Sequence, residues 1–416
     1  MKHAETRDPL PSYDDALKQV LSQIRSLHSE PVELSGALGC VLAEDIVADR
    51  DQPPFNRSAM DGYAVRSAEI EPNTWYEVAA VIPAGGAVTD PTVLIRGVSA
   101  IATGAAVPDT YDAVIPVEQS HEQNGRVRFD TTQVKPGQHI HKQGDDARAG
   151  RVVIPAGTVM GPAKVGIAAA VGCIKPRVIR RACVSILTTG DEVRPPATPT
   201  DDLAPQQIRN SNGPMLEALM TYLNTERFDQ VHVRDEPDAT LAALQESLNK
   251  CDLTLTVGGV SAGRRDHVPW AAGELGMETI VKGVAIQPGK PVFIAKSPGD
   301  SPRWLVGLPG NPVSVLTTAH LFVWPILRAM SGRDATLPWR SATLDTPVKP
   351  NAKREAFRTA EVIDPESLRV SVLHWKGSGD LSHTARAEGF VRLPVQPEEL
   401  NPGSTVPFLP MIGGGA

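Results

Sequence analysis

DLTLTVGGVSAGRRDH, residues 252–267, decides how this chain is read, because it joins an apolar strand to a small-residue turn that ends on an acid. Leu253 to Val257 alternate aliphatic and β-branched side chains, the composition of a buried strand. Gly258 and Gly259 follow, and glycine supplies the backbone freedom that a sharp turn at a strand end demands. Ser261 and Gly263 then keep the loop small, so backbone N–H groups and a hydroxyl can approach an anionic ligand. Beside such a ligand, Asp266 is most useful as a ligand to Mg²⁺. Taken alone, the same stretch also reads as a tight turn and nothing more.

Working outward, strand and helix alternate from Pro176 to Gly332. RACVSILTT is a strand, NSNGPMLEALMTYL a helix capped by Asn212, FDQVHV a strand, PDATLAALQESLNK a helix and DLTLTV a strand. TIVKGVAI, VFIAK and WLVGL are further strands before a helix that starts at Pro312. This alternation predicts a three-layer α/β domain with a mostly parallel sheet, and such sheets bind ligands outside the carboxyl ends of their strands. The polar residues of interest gather at those ends. Thr189, Gly190 and Glu192 follow the first strand, Asp235 the second, Gly258 to Asp266 the third, and Pro309, Gly310 and Pro312 the last. Most acids of the chain, such as Glu246 and Glu274, fall on solvated helix faces; Glu192, Asp235 and Asp266 do not, and are read as ligand or metal groups. Lys282 falls inside a predicted strand, where it either reaches into the site or faces solvent at an edge. Lys290, in PGKP, supplies a second cation.

The rest of the chain is punctuated by 37 prolines and 35 glycines, which favours short strands and turns over a helical bundle. Ser12 opens a helix, with Asp15 in a capping-box-like position. Short strands run from Met60 to about Asp146 and again from Pro338 to Pro410, the second set reading as a small β-barrel. Cys40, Cys173, Cys183 and Cys251 form no C-x-x-C pair and read as buried thiols. The net charge of −7 argues against a general nucleic-acid surface. MKHAETRDPLPS has no apolar core for export, and no run approaches the roughly 18 apolar residues of a membrane span, so a cytoplasmic protein without membrane contact is expected.

GGVSAGRRDH, PGKP and LPGNPVS at these spacings resemble the molybdopterin molybdotransferases, the family of bacterial MoeA and of the related gephyrin domain. PPFNRSAMDGYAV from Pro53 to Val65, TGAAVPDTYDAVIPVE from Thr103 to Glu118 and TTGDEV from Thr188 to Val193 match it as well, so the likeness runs nearly the full length. The resemblance implies a multidomain fold: an N-terminal region 1–177 with a β-rich subdomain inserted at about 56–146, the α/β domain at 178–332, and a C-terminal β-barrel at 337–411. It implies that Asp61, Thr103 and Asp146 join Glu192, Asp235 and Asp266 as catalytic groups, with Glu192, Asp235 and Asp266 on Mg²⁺. Thr189, Gly190, Gly258, Gly259, Ser261, Gly263, Arg264, Lys282, Lys290, Pro309, Gly310 and Pro312 would then bind substrate.

The implied reaction inserts molybdenum from molybdate into adenylylated molybdopterin, releasing molybdenum cofactor and AMP, in a homodimer whose sites are shared between subunits. The rivals are a molybdopterin adenylyltransferase and a non-catalytic scaffold like gephyrin's. Departures from the family pattern are Arg264 and Arg265 in place of Glu and a small residue, Gln287 in place of Lys, His267 in place of Tyr, and Asp145 in place of Glu. Arg264 and Arg265 are expected to supply the charge that Gln287 lacks.

Overall fold

Leu253–Val257 is buried at all five residues, although two of them are threonines. Thr254 is satisfied sideways by Ser247 (Oγ···Oγ1 2.8 Å) on a covering helix, whereas the buried Thr256 Oγ1 has no hydrogen-bond partner among the described residues. Around this strand the computed structural model describes residues 9–86, 97–131, 133–260 and 267–414, the side chains of 227–229 excepted. The chain divides into two units, Pro31–Leu38 with Leu42–Val178, and Met1–Glu30 and Gly39–Val41 with Ile179–Ala416.

In the first unit, strands β1 (Arg57–Ser58) and β8 (Ile140–His141) form a small antiparallel pair. Between them β2 (Gly62–Val65), β3 (Tyr76–Ile82), β4 (Val98–Ile101), β5 (Ala113–Pro116), β6 (Ser120–Gln123) and β7 (Arg126–Phe129) build a six-stranded sheet in the order β5-β2-β4-β3-β7-β6. Tyr63, Ile115 and Val127 fill one face, and Ile82, Ile101 and Val114 the other. Helix α2 (Pro162–Ala170) starts on a proline, whose missing N–H is no loss at a helix's first turn.

In the second unit, helix α1 (Tyr13–Leu21) opens as its sequence predicts, with the Ser12 side chain accepting from the Asp15 N–H. Tyr13 is fully buried, edge-on to Phe322 and Phe357, which stabilises the helix's docking by about 1.5–3 kcal/mol. The central sheet comprises β9 (Cys183–Thr189), β10 (Glu226–Val233), β11 (Leu253–Val257), β12 (Glu278–Lys282), β13 (Phe293–Lys296) and β14 (Trp304–Leu308), in the order β10-β9-β11-β14-β13-β12. The first four neighbours run parallel, β13 pairs antiparallel with β14, and β12 pairs antiparallel with β13. Helices α3 (Asn212–Tyr222), α4 (Pro237–Lys250) and α5 (Val268–Glu274) connect and cover these strands.

After β14 the chain runs through α6 (Pro312–Thr318), a π-helical turn at Ala319–Val323 and α7 (Trp324–Met330). Among the described residues this stretch, Pro312–Met330, is the one helix long and apolar enough to cross a membrane; its apolar window is 83% buried inside the protein, which makes it a core helix. Strands β15 (Arg340–Leu344), β16 (Glu355–Asp364), β17 (Arg369–Val372), β18 (Gly389–Leu393) and β19 (Thr405–Pro410) then close a five-stranded barrel, because β18 pairs back with β16. Ile286–Gln287 adds a short parallel strand to β16.

Candidate active site

The carboxyl ends of β9, β11 and β14 surround a cavity of about 490 Å³. Three parallel strands end there, and the chain must turn away over their tips. Gly258 makes this possible at β11: its φ is +88°, and a Cβ would lie 2.8 Å from Thr189 Oγ1. Gly190 makes the same kind of turn after β9 at φ +128°, a conformation closed to most side chains. Thr189 Oγ1 in turn donates to the Val257 carbonyl at 3.3 Å, tying the two strand ends together.

Thr189, Gly190, Glu192, Asp235, Gly258, Gly259, Gly310 and Pro312 line this cavity. Glu192 and Asp235 come to it from different strand ends. The Asp235 N–H reaches Asp191 Oδ1 at 3.5 Å, which orders the turn after β10. Lys282, Lys290 and Pro309 are not among the lining residues. Lys282 is the last residue of β12, the edge strand of the sheet, and it is exposed. Lys290 is exposed as well. Ser261, Gly263, Arg264, Arg265 and Asp266 lie outside the described residues.

Several lining groups were not singled out as site residues in the sequence, among them three asparagines. Asn210 is buried; its Oδ1 accepts the Gly213 N–H at 3.0 Å and its Nδ2 donates to Thr188 Oγ1 at 3.3 Å. Asn210, rather than Asn212, therefore ties down the start of α3. Asn212 Nδ2 donates to the Gly310 carbonyl at 2.7 Å, which turns its Oδ1 the other way. That oxygen is buried and has no hydrogen-bond partner among the described residues. A buried acceptor left open in a polar cavity costs stability unless a ligand fills it. Asn311 Nδ2 donates to Ser378 Oγ at 2.7 Å, and the Val313 N–H to the Ser378 carbonyl at 3.1 Å. These bonds hold the 377–381 loop of the barrel region so that Gly379 and Leu381 complete the cavity wall.

Whether the cavity suits Mg²⁺ follows from its donors. Its two carboxylates are hard oxygen ligands of the kind this ion takes. Among the described residues no third acid joins them. The set fits the ion.

The first unit holds the other predicted acids. Asp61 Oδ1 accepts the Thr103 N–H at 2.7 Å, and Ser58, which is buried, holds the intervening turn by donating to the Met60 carbonyl at 2.6 Å. Gly104 N–H donates to the Ser58 carbonyl at 2.8 Å, so the 103–106 loop lies against β1. Asp146 sits beside His141 on β8, the strand paired with β1 on its other edge.

Comparison with known proteins follows this arrangement along the chain. The family models for the MoeA N-terminal region (domain I and II), a probable molybdopterin binding domain and the MoeA C-terminal region (domain IV) match residues 11–172, 185–329 and 341–411. The molybdopterin molybdenumtransferase of Staphylococcus aureus (strain N315) is 30% identical over 412 residues, which is 97% of this chain and 96% of that protein. The chain belongs to the molybdopterin molybdenumtransferase family. It is a transferase of molybdenum cofactor biosynthesis.

A second molybdenumtransferase, from Nostoc sp. (strain PCC 7120), is 35% identical over 78% of this chain and 75% of its own length. Among solved structures, a molybdopterin biosynthesis MoeA protein from Pyrococcus horikosii is 30% identical, covers 97% of this chain and 99% of its own, and superposes with a TM-score of 0.79. The closed barrel, the mixed sheet and the β-rich first unit are thus this family's architecture.

Proposed function

We propose that this molybdenumtransferase inserts molybdenum from molybdate into adenylylated molybdopterin, and releases molybdenum cofactor and AMP. The observation that carries this reading is the cavity at the ends of β9, β11 and β14, where glycine turns, two carboxylates and an open amide oxygen meet. Bare backbone at Gly190, Gly259 and Gly310 admits the phosphates of an adenylylated ligand closely. Asn212 Oδ1 accepts from a ring N–H or amino group of the ligand. Asn311, through Ser378, keeps the far wall in place. Asp235 and Glu192 would hold Mg²⁺, together with Asp266. Bound there, the ion would neutralise the pyrophosphate and make its phosphorus more open to attack.

Asp61, Thr103 and Asp146 serve the reaction from the first unit, in a cytoplasmic homodimer with sites shared between subunits. The family resemblance supports that assembly. Mixing Asp61→Asn and Asp235→Asn protomers tests it: a purified heterodimer should recover about half the wild-type rate, one intact site in two. No recovery would place all these residues in one chain's own site.

The central test supplies purified protein with adenylylated molybdopterin, molybdate and Mg²⁺ and follows AMP together with cofactor. AMP release that depends on molybdate supports the reading. With ATP and molybdopterin supplied in a parallel reaction, an adenylyltransferase would instead release pyrophosphate, and a scaffold would turn over neither mixture; either result overturns it.

A further inference from the structure

Asp146 is one member of a three-residue chain of contacts in the first unit. Arg57 and His141 stand directly opposite each other in the β1–β8 register. Arg57 Nη2 lies 3.1 Å from His141 Nδ1, and His141 Nε2 lies 3.0 Å from Asp146 Oδ1. Arg57 Nη2 is also 3.9 Å from Asp146 Oδ2, an ion-pair distance too long for a hydrogen bond.

The turn between the histidine and the acid explains why they meet. Lys142 to Asp145 reverse the chain, with the Asp145 N–H donating to the Lys142 carbonyl and the Lys142 N–H to Asp145 Oδ2, both at 3.2 Å. Gly144 takes φ +73°, and a Cβ there would come within 2.8 Å of the Arg148 side chain. The Asp146 N–H then bonds the Gln52 carbonyl at 2.9 Å, which fixes the backbone that carries the carboxylate.

Donor chemistry assigns the proton. A guanidinium carries donors and no acceptor, so His141 Nδ1 must accept from Arg57. The ring is then the neutral tautomer with its proton on Nε2, aimed at Asp146 Oδ1. We propose that His141 is the positioning residue for Asp146: Arg57 selects its tautomer, and its Nε2–H fixes one carboxylate oxygen, leaving Oδ2 to meet the ligand. The proposal deepens the functional reading above and rests on it for the role of Asp146. A plain surface ion pair would need neither a blocked Nδ1 nor an Arg–His pair in register. The motif HIHKQGDDA, residues 139–147, already carries both residues, five positions apart.

Ring-¹⁵N-histidine labelling of the whole protein tests this without turnover. In long-range ¹H–¹⁵N spectra the wild-type His141 ring should show an unprotonated Nδ1 and a protonated Nε2, and Arg57→Ala should release it to a mixture of tautomers. A wild-type ring protonated on Nδ1 overturns the proposal. In the turnover assay His141→Ala should lower kcat by at least about tenfold with KM little changed, since misplacing a reacting group by about 1 Å costs on the order of a hundredfold.

His141→Gln, whose amide can donate at the Nε2 position, should restore most of the loss, and His141→Asn should not. Equal rates for all three variants and the wild type would remove His141 from the reaction. Should His141→Ala fail to fold, the wild-type spectrum alone still decides. A wild-type chain with the expected tautomer but no product refutes the functional reading and still supports the Arg57–His141 arrangement.

Discussion

Acid should unfasten the C-terminal segment from the core, and His320 is the group that does it. The residue is 1% exposed in the π-helical turn, edge-on to Trp324 and tilted against Phe390. Its Nδ1 lies 2.8 Å from the Leu316 carbonyl, which can only accept, and its Nε2 lies 3.1 Å from the Ile412 N–H, which can only donate. The ring is therefore neutral and protonated on Nδ1. Burial pushes its pKa down from 6.5 to about 4, against a smaller upward pull from the Leu316 carbonyl. Above pH 6.5 the ring is neutral folded or unfolded, and it gives stability no pH dependence. Between 6.5 and 4 only the unfolded chain takes up the proton, so stability falls; below 4 both states bind it and the loss levels off.

The gap between those two values, at about 1.4 kcal/mol per pH unit, amounts to about 3 kcal/mol. Urea unfolding of the wild type and of His320→Gln, followed by circular dichroism at pH 7, 5.5 and 4, measures it. Glutamine keeps a donor and an acceptor but cannot titrate. The variant should be the less stable protein at pH 7, and its deficit should shrink by about 3 kcal/mol by pH 4. Stability curves that run parallel across this range would refute the reasoning, because the histidine would then take up its proton equally in both states.

Asp252→Ala removes a buried carboxylate that accepts from both Arg180 terminal nitrogens at 2.6 and 2.7 Å, from the Cys183 N–H at 2.9 Å and from Arg303. Leaving those guanidinium groups unpaired should cost about 3 kcal/mol in urea unfolding, and a loss under about 0.5 kcal/mol would mean water replaces the acid freely. Gly258→Ala places a Cβ 2.8 Å from Thr189 Oγ1 at a φ of +88°; a melting point and turnover equal to wild type would show that the turn has another way to close, whereas about 1–2 kcal/mol of destabilisation is expected from the backbone alone. Asp235→Asn with Glu192→Gln should abolish Mg²⁺ binding by calorimetry without moving the melting point. Unchanged affinity would put the ion elsewhere.

The sheet of the second unit was legible because its strands are buried on both faces: Leu253–Val257 and Trp304–Leu308 are dry at every residue, and only a covered sheet tolerates such runs. The glycine turns were legible too, since Gly190 and Gly258 adopt backbone angles that few other residues enter. Strand order was not. Alternation of strand and helix says nothing about β12 lying at an edge and pairing antiparallel, so the sequence left Lys282 open between the site and the solvent-facing edge where the strand order puts it. Asn210, Asn212 and Asn311 escaped for a different reason. An asparagine beside a helix start reads as a cap, and which way its amide turns depends on a carbonyl such as that of Gly310, 98 positions later. Gly379 and Leu381 were invisible as wall residues because a hydrogen bond from Asn311 to Ser378, across 67 positions, brings them there.

That last bond sets an order of events during synthesis. Thr188 to Asn212 and Val257 to Gly259 leave the ribosome early and can assume their turns as the sheet pairs, yet the wall formed by Gly379 and Leu381 is translated more than a hundred residues after them. Domains fold largely from the N-terminal end as they emerge, at about 5–20 residues per second. For several seconds a growing chain therefore carries the strand ends without the far wall. A ligand that needs both cannot be retained by the nascent protein, and binding competence arrives with the barrel.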